Sequence, residues 1–254
     1  MLLAVDVGNT NIVFGVFDGP DLLREWRTRT NIHATSDELG MFVTYFLSEM
    51  TVSSKQIAKI AVSSVVPPLE PLLSRFFRNY FNLEALWIRP ETFKGMPIQY
   101  TIPSQVGADR LVNAFAGFDK YRTGLIVIDL GTATTFDVVS DAGEYLGGAI
   151  CPGIRTAMES LYVNAPRLPR IQLEDVPEKV IGTDSVGNLK SGILFGYAGL
   201  VDGMVHRIKT EMRADPKVIA TGGLSRIMEK ISQTIEGIEP DLTLQGIRLM
   251  AERD

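Results

Sequence analysis

Short apolar runs alternate with stretches of helical apolar spacing along the 254-residue chain. Brief runs bounded by turn formers predict buried strands, whereas apolar positions three and four apart predict helices. Strands are predicted at residues 2–7, 12–18, 21–29, 57–62, 85–88, 124–129, 134–140, 144–150 and 217–221. Helices are predicted at residues 36–50, 69–81, 105–121, 152–163 and 185–213, with short helices after residue 221. Proline-rich segments are predicted to be irregular at residues 89–104 and 164–180.

The opening strand and its turn occur twice in the sequence. The stretch LLAVDVGNTN near the start corresponds to LIVIDLGTAT, which lies 123 positions later. In this register Asp6 matches Asp129 and Gly8 matches Gly131. Because self-similarity at a fixed offset is typical of repeated structural units, the chain is predicted to be a duplication.

Each half of the chain predicts three consecutive strands, followed by helices that alternate with further strands. This order is typical of the duplicated actin-like (ribonuclease H-like) ATPase fold, an α/β fold with two lobes around a nucleotide cleft. We expect an N-terminal actin-like lobe at residues 1–118 and a C-terminal actin-like lobe at residues 119–254. The carboxyl ends of the central strands are expected to carry the functional residues.

Composition restricts the compartment and the partners. The net charge of −5 and the scattering of basic residues argue against a nucleic-acid partner. The single cysteine excludes an internal disulfide and fits a reducing compartment. No apolar stretch approaches the ~20 residues of a membrane helix, and the early Asp6 is unlike a signal peptide. We therefore expect a cytoplasmic protein with neither membrane nor nucleic-acid partners.

The first glycine turn, DVGNTN at residues 6–11, has the features of a phosphate-binding loop. Gly8 permits a positive φ or the close approach of an anion, and the amides after it can form a nest for phosphate oxygens. Asp6 can hold Mg²⁺ through the water shell of the ion. An ordinary hairpin turn is the simpler alternative for one copy, but a purely structural turn need not repeat with its carboxylate.

Two glycine turns in the second half extend this pattern. The DLGTATT stretch at residues 129–135 is rich in hydroxyls that suit phosphate or cation contacts, although threonine also favours strands. That preference does not explain Asp129 at the end of an apolar run. The Thr221–Gly223 turn suits a base or ribose lying against the backbone, although such turns are common.

The GADR sequence at residues 107–110 opens a predicted helix. An aspartate in a first helical turn commonly only compensates the helix dipole, and Arg110 can be its ion-pair partner. If the chain binds ATP, however, one carboxylate must meet the acceptor hydroxyl, and Asp109 is the best-placed candidate. The residues alone leave both alternatives open.

The longest predicted helix, at residues 185–213, contains four glycines: Gly192, Gly196, Gly199 and Gly203. Glycine weakens a helix, so this number indicates close backbone packing. The packing partner is either the chain's own sheet or another subunit.

Taken in order, these motifs resemble the type III pantothenate kinase family over nearly the whole chain. The matching stretches are DVGNTN at 6–11, YTIPSQVGADR at 100–110, DLGTATTF at 129–136, SGILFGY at 191–197 and TGGL at 221–224. The resemblance implies membership of the superfamily of acetate and sugar kinases, heat-shock ATPases and actin. It also implies ATP-dependent phosphorylation of pantothenate, the first step of coenzyme A biosynthesis, by a homodimer that needs Mg²⁺ and a monovalent cation, K⁺ or NH₄⁺.

The resemblance further implies roles for individual residues. Asp109 is implied to be the general base and Asp129 a ligand of K⁺ or NH₄⁺. The residues expected to bind ATP are Asp6, Val7, Gly8, Asn9, Thr10, Asn11, Ile12, Val13, Thr132, Gly222 and Gly223. Those expected to bind pantothenate are Tyr100, Gly107, Ala108, Asp109, Arg110 and Ser185, and Ser185 stands where the family usually has threonine. Arg110 can meet the substrate carboxylate or hold Asp109.

Two other functions are compatible with the phosphate-binding motifs. The first is another small-molecule kinase of the same superfamily, such as a sugar or acetate kinase, because only residues 100–110 and Ser185 argue for pantothenate. The second is a nucleotide switch or a transcription-related accessory factor without catalysis. The acidic composition and the lack of a helix-turn-helix pattern argue against direct DNA binding by such a factor.

Overall fold

Two five-stranded sheets of matching internal order form the framework of the protein. The computed structural model describes residues 1–253. The strands are β1 (Leu2–Val7), β2 (Asn11–Asp18), β3 (Asp21–Arg29), β4 (Lys59–Ser64), β5 (Leu86–Ile88), β6 (Leu125–Leu130), β7 (Ala133–Val139), β8 (Tyr145–Pro152), β9 (Lys217–Thr221) and β10 (Gly237–Ile238). The helices are α1 (Ser36–Glu49), α2 (Glu70–Phe81), α3 (Ala108–Tyr121), α4 (Ile154–Asn164), α5 (Ser185–Met212), α6 (Ser225–Met228) and α7 (Leu242–Arg253).

The first sheet has the order β3-β2-β1-β4-β5. Its central strand β1 pairs antiparallel with β2 and parallel with β4. Alternate residues of β1, such as Leu3 and Val5, are fully buried in a cluster with apolar residues of α1 and α2. Since side chains alternate between the faces of a strand, this spacing places one row of β1 residues against the two helices.

The second sheet has the order β10-β9-β6-β7-β8 and repeats the first. Its central strand β6 pairs antiparallel with β7 and parallel with β9, as β1 does with β2 and β4. Ile126 and Ile128 of β6 are fully buried in a cluster that includes Leu194 and Val201 of α5. The predicted duplication and α/β class are therefore confirmed. The two-residue strand β10, which is too short for a periodic signal, was not predicted.

The contacts of the chain define two compact units. The first comprises Met1–Met96, Thr101–Ala116 and helix α7, and the second comprises Pro97–Tyr100 and Gly117–Asp241. The division falls within α3, two residues before the predicted lobe boundary after residue 118. No helix within residues 1–253 has both the length and the apolar character needed to cross a membrane.

Helix α7 differs from the prediction, which assigned it to the C-terminal lobe. It packs on the first sheet, where the Leu244 side chain lies against Gly15 of β2. Lys59 of β4 donates a 2.6 Å hydrogen bond from Nζ to the carbonyl of Ala251, near the carboxyl end of α7. The apolar face of α7 needs a sheet face to cover, and position in the sequence did not indicate which sheet provides it.

We expect Gly246→Ala to destabilise the protein by about 1–3 kcal/mol, as for overpacking of a well-packed core. A β-carbon at Gly246 would lie 2.2 Å from the carbonyl oxygen of Val112 in α3, and a backbone atom cannot rotate away. Urea unfolding followed by circular dichroism measures the change. Gly237→Ala is the matched control, because its β-carbon would meet its nearest neighbour, the Tyr121 hydroxyl, only at 4.0 Å. Equal midpoints for the two variants would contradict this account.

Candidate active site

The first glycine turn follows Asp6 at the carboxyl end of β1. The Gly8 amide donates a 3.0 Å hydrogen bond to the Asn11 carbonyl and so closes the turn. Thr30 fastens it from outside, because its hydroxyl donates to the Gly8 carbonyl at 2.6 Å and its amide donates to the Thr10 carbonyl at 2.9 Å. This leaves Asn9 and Thr10 exposed at the tip, where their donors are accessible.

Not every residue predicted to bind ATP has an accessible side chain. Val7 and Ile12 are buried in the core of the first unit, so only their backbone groups are available to a ligand. Gly8, Asn11 and Val13 are partly buried. The turn therefore offers mainly backbone amides and small polar groups, which suits phosphate oxygens.

The second glycine turn, after Asp129 of β6, is one residue shorter than the first. The Gly131 amide donates a 3.0 Å hydrogen bond to the Ala133 carbonyl. Thr132 is exposed, and its carbonyl accepts from the Gly153 amide at 3.1 Å and from the Thr156 hydroxyl at 2.6 Å. The repeated turn is thus braced by the start of α4, where the first turn is braced by Thr30.

The third turn touches Asp129 directly. Gly222, which follows β9, has a φ of +89°, and a β-carbon there would lie 2.7 Å from Oδ1 of Asp129 and 2.7 Å from the carbonyl carbon of Leu130. Both the positive φ and the close approach require glycine. Gly223 is exposed, and Thr221 pairs with Asp129 across β6 and β9. The two glycine turns of the second unit therefore meet at one carboxylate.

Asp109 lies in the first turn of α3, and its surroundings belong to the first unit. Its Oδ1 accepts a 2.8 Å hydrogen bond from the Arg110 amide. Gly107 lies beside Val65, and the Val65 amide donates a 3.0 Å hydrogen bond to the Val7 carbonyl. The start of α3 is thus attached to the strand edge at which the Asp6 turn begins. A β-carbon at Gly107 would lie 2.4 Å from Oδ1 of Asp109, so glycine leaves room for the carboxylate.

The surroundings of Asp109 bear on the two alternatives that its position left open. Burial raises the pKa of its carboxyl above the ordinary value, and the amide and the charge of Arg110 oppose this only in part. A carboxylate that merely compensates a helix dipole would have a lowered pKa, because the dipole stabilises the charged form. A buried carboxyl with a raised pKa is instead typical of a functional acid or base.

The remaining residues predicted to bind pantothenate are divided between the two units. Ala108 and Arg110 are buried in the first unit. In the second unit, the Tyr100 ring covers Gly147 of β8. The segment before Tyr100 is paired with Tyr145: the Gln99 amide donates to the Tyr145 carbonyl at 2.8 Å, and the Tyr145 amide donates to the Pro97 carbonyl at 2.8 Å. Ser185 is exposed as the first residue of α5.

The start of α5 is held in place by its own polar groups. The Asp184 side chain accepts a 2.8 Å hydrogen bond from the Gly187 amide and so caps the helix. The buried Ser191 hydroxyl donates to the Val180 carbonyl, which ties the preceding loop to the helix. Ser185 is therefore presented from a capped helix end.

Three residues beside the predicted site were not singled out from the sequence, because their contacts depend on strand register. Thr30 braces the first turn from 22 residues away. Thr135 lies opposite Asp129, and the fully buried Asp137 accepts hydrogen bonds from Thr135 and Tyr145. The threonine-rich motif contained Thr135, but a preference for strands explained it equally well. Within residues 1–253 no group of three or more histidine, cysteine, aspartate or glutamate side chains is arranged to hold a metal ion.

Comparison with known proteins identifies relatives of this chain. A family model for type III pantothenate kinase matches residues 2–207. A type III pantothenate kinase of Desulfosudis oleivorans is 48% identical over 250 residues, which cover 98% of this chain and 98% of the relative.

Solved structures with the same fold have much lower sequence identity. A conserved protein from Campylobacter jejuni, described as a candidate Baf family transcriptional activator, has a TM-score of 0.58 at 20% identity over 99% of this chain and 98% of its own. A ROK family glucokinase from Streptomyces griseus, in complex with glucose and AMPPNP, has a TM-score of 0.56 at 11% identity over 100% of this chain and 99% of its own. These likenesses support the fold alone, and they agree with the predicted actin-like architecture.

We expect Asp109→Asn to be more stable than the parent at neutral pH and equally stable in acid. Because the pKa of Asp109 is raised on folding, the stability that its neutral form contributes is present below the unfolded pKa and is lost as pH rises through the folded pKa. Asparagine stays neutral at every pH. Urea unfolding at a series of pH values measures the difference. Asp21→Asn, at the exposed first residue of β3, is the control. A stability difference that does not change with pH would contradict the burial effect.

Proposed function

The chain belongs to the type III pantothenate kinase family, and we propose how its residues divide the work of the reaction. It is a kinase that phosphorylates pantothenate with ATP to 4′-phosphopantothenate, the first step of coenzyme A biosynthesis. The observation that carries this conclusion is the 48% identity with a type III pantothenate kinase over 98% of both chains. ATP and pantothenate are the substrates, and we place the reaction in the cytoplasm, where ATP is available.

The two alternative functions have weaker support. The glucokinase likeness has 11% identity, and the likeness to the Campylobacter jejuni protein has 20% identity. Structures this distant share a fold with many functions, so neither suggests a sugar substrate or a regulatory role for this chain. The family match instead covers residues 2–207, which include the 100–110 segment expected to recognise pantothenate.

The glycine turns are assigned to ATP. The transferred phosphoryl group passes through a loose transition state, so catalysis relies on positioning and on stabilising charge. The turn after Asp6, with its exposed Asn9 and Thr10, offers backbone amides and neutral donors to phosphate oxygens. Thr132 is assigned to the same task in the second copy, and Gly222 and Gly223 are assigned to the nucleoside.

Asp109 is assigned as the general base. A base for a primary alcohol has to orient the hydroxyl and accept its proton late in the transfer. The raised pKa of Asp109 makes it a better proton acceptor than an exposed aspartate. Tyr100, Gly107, Ala108, Arg110 and Ser185 are assigned to pantothenate.

The site residues fit Mg²⁺ and a monovalent cation as partners of the phosphates. Mg²⁺ usually keeps several waters and binds through one or two carboxylates plus substrate phosphates, so the single carboxylate Asp6 suits it. Asp129 lies between two glycine turns, where a carboxylate and backbone oxygens are available to K⁺ or NH₄⁺. These cations would neutralise the charge of the phosphates while Asp109 meets the acceptor.

We further propose a homodimer that uses the glycine face of α5. Outside the neighbouring backbone of α5 itself, a β-carbon at Gly192, Gly196, Gly199 or Gly203 would meet no atom of the described chain within 4 Å. The chain's own sheet is therefore not the packing partner within residues 1–253. Ser185 precedes Gly196 by about three helical turns and so shares this face. The pantothenate pocket is accordingly expected near the dimer interface.

Purified protein should release ADP only when ATP and pantothenate are both present, and Asp109→Asn should lower kcat by roughly 10²–10⁴-fold. Gly107→Ala should also lower kcat, because its new β-carbon displaces the Asp109 carboxylate. Asp119→Asn, near the other end of α3, is the matched control and should keep parental kinetics. A coupled ADP-release assay with pantothenate, glucose and acetate as acceptors makes the measurement. A preference for glucose or acetate would reject pantothenate as the substrate. Near-normal turnover of Asp109→Asn would reject Asp109 as the general base.

The bulky substitution Gly196→Trp should convert the dimer into monomers that bind pantothenate poorly, since a large side chain blocks close helix packing. Light scattering gives the mass, and calorimetry gives pantothenate affinity. Lys230→Trp, at an exposed position outside α5, is the control for adding a tryptophan. A fully active parental monomer at assay concentration would refute the dimer, and a dimeric Gly196→Trp protein would exclude this face.

A further inference from the structure

The two copies of the repeated unit differ at the residue opposite the carboxylate. In the first sheet, Asp6 of β1 pairs with Val13 of β2. In the second sheet, Asp129 of β6 pairs with Thr135 of β7. Directly opposed residues of antiparallel strands share a face, with β-carbons about 4.5–5.5 Å apart. The second copy therefore places an oxygen beside its carboxylate where the first copy has an apolar side chain.

The Thr135 hydroxyl is oriented by a buried carboxylate. It donates a 3.1 Å hydrogen bond to Oδ2 of Asp137, and the Tyr145 hydroxyl donates a 2.8 Å bond to Oδ1. Asp137 and Tyr145 are both 0% exposed, whereas Thr135 and Asp129 are partly exposed. A hydroxyl has one proton, so a threonine that donates it to Asp137 presents its lone pairs elsewhere. Thr135 is thereby prepared to act as an acceptor.

The surroundings of Asp129 suit a cation that binds oxygen. Gly131 and Gly222 approach its carboxylate so closely that a β-carbon on them would lie 3.3 Å and 2.7 Å from Oδ1. No side chain from these two positions occupies the space beside the carboxylate. Hard cations bind carboxylate, hydroxyl and carbonyl oxygens, and all three types are present at the ends of β6 and β7.

We propose that Thr135 is a second protein ligand of the monovalent cation, beside Asp129, and that Asp137 is a positioning residue that holds the Thr135 proton away from the cation. This inference rests on the proposed assignment of Asp129 to K⁺ or NH₄⁺. It gives the buried Asp137–Tyr145 pair a role in the reaction. It also explains why a hydroxyl lies opposite the carboxylate only in the second copy, where Asp129 is assigned to the monovalent cation.

The test compares Thr135→Val, which removes the oxygen, with Thr135→Ser, which keeps it. The melting temperature is measured with ADP and Mg²⁺ while KCl replaces choline chloride at constant ionic strength, and the half-activating K⁺ concentration is measured by ADP release. Thr135→Val should raise the K⁺ concentration needed for both effects by roughly 10–100-fold, as for loss of a group that supports a metal site. Thr135→Ser should stay near the parent.

Thr134→Val is the matched control. It makes the same chemical change one residue earlier on β7. The Thr134 hydroxyl lies on the opposite face of the sheet, is fully buried and has no hydrogen-bond partner within residues 1–253. Thr134→Val should leave the K⁺ response unchanged. A parental K⁺ response in Thr135→Val would overturn the proposed ligand.

Asp137→Asn tests the positioning role. An asparagine amide can donate to the Thr135 oxygen and turn the hydroxyl proton toward the cation, so the K⁺ requirement should rise. If Asp137→Asn lowers the melting temperature in choline chloride but keeps the parental K⁺ dependence, Asp137 is only structural and its proposed positioning role is rejected. If it does not fold, the Thr135→Val and Thr135→Ser pair still decides the ligand.

Asp129→Ala separates failure of this inference from failure of the assignment beneath it. A parental K⁺ response in Asp129→Ala would reject the cation site altogether. Loss of the response in Asp129→Ala together with its retention in Thr135→Val would reject Thr135 alone. Loss in both, with Thr135→Ser and Thr134→Val near the parent, is the result expected.

Discussion

The pairing of one central strand with an antiparallel neighbour on one side and a parallel neighbour on the other governs both sheets. In each sheet the next-to-last residue of this strand is a carboxylate, Asp6 or Asp129, and a glycine turn follows the strand. The antiparallel partner returns the chain at once, which forces a tight turn next to the carboxylate. The parallel partner brings a second strand end to the same edge. The candidate chemistry is therefore concentrated where the backbone pairing requires the chain to turn.

The two copies share this geometry but have diverged around it. The first turn is braced by Thr30 and closed by Gly8, and its carboxylate faces Val13 across the strand pair. The second turn is one residue shorter and is braced by Thr156 at the start of α4. The strand pairs thus keep the two carboxylates in matching positions, while the side chains around the two turns differ.

The role proposed for Asp109 sets stability against function. Burial disfavours its charged form, yet the proposed general base has to be charged before it accepts a proton. The fold tolerates this because Gly107 leaves room for the carboxylate and the Arg110 amide donates to it. Burial of this kind is typical of functional sites, where a residue optimal for stability would not perform the reaction.

The sequence by itself determined the elements, the duplication and most of the site motifs, because these depend on local apolar spacing and on glycine turns that are contiguous in the chain. It also identified the family through ordered motifs spread over nearly the whole length. Tertiary structure decided what depends on contacts between distant residues. Helix α7 covers the first sheet, Gly222 meets Asp129, and burial raises the pKa of Asp109. The position of Thr135 opposite Asp129 follows from strand register, since a shift of one residue would turn its hydroxyl to the opposite face.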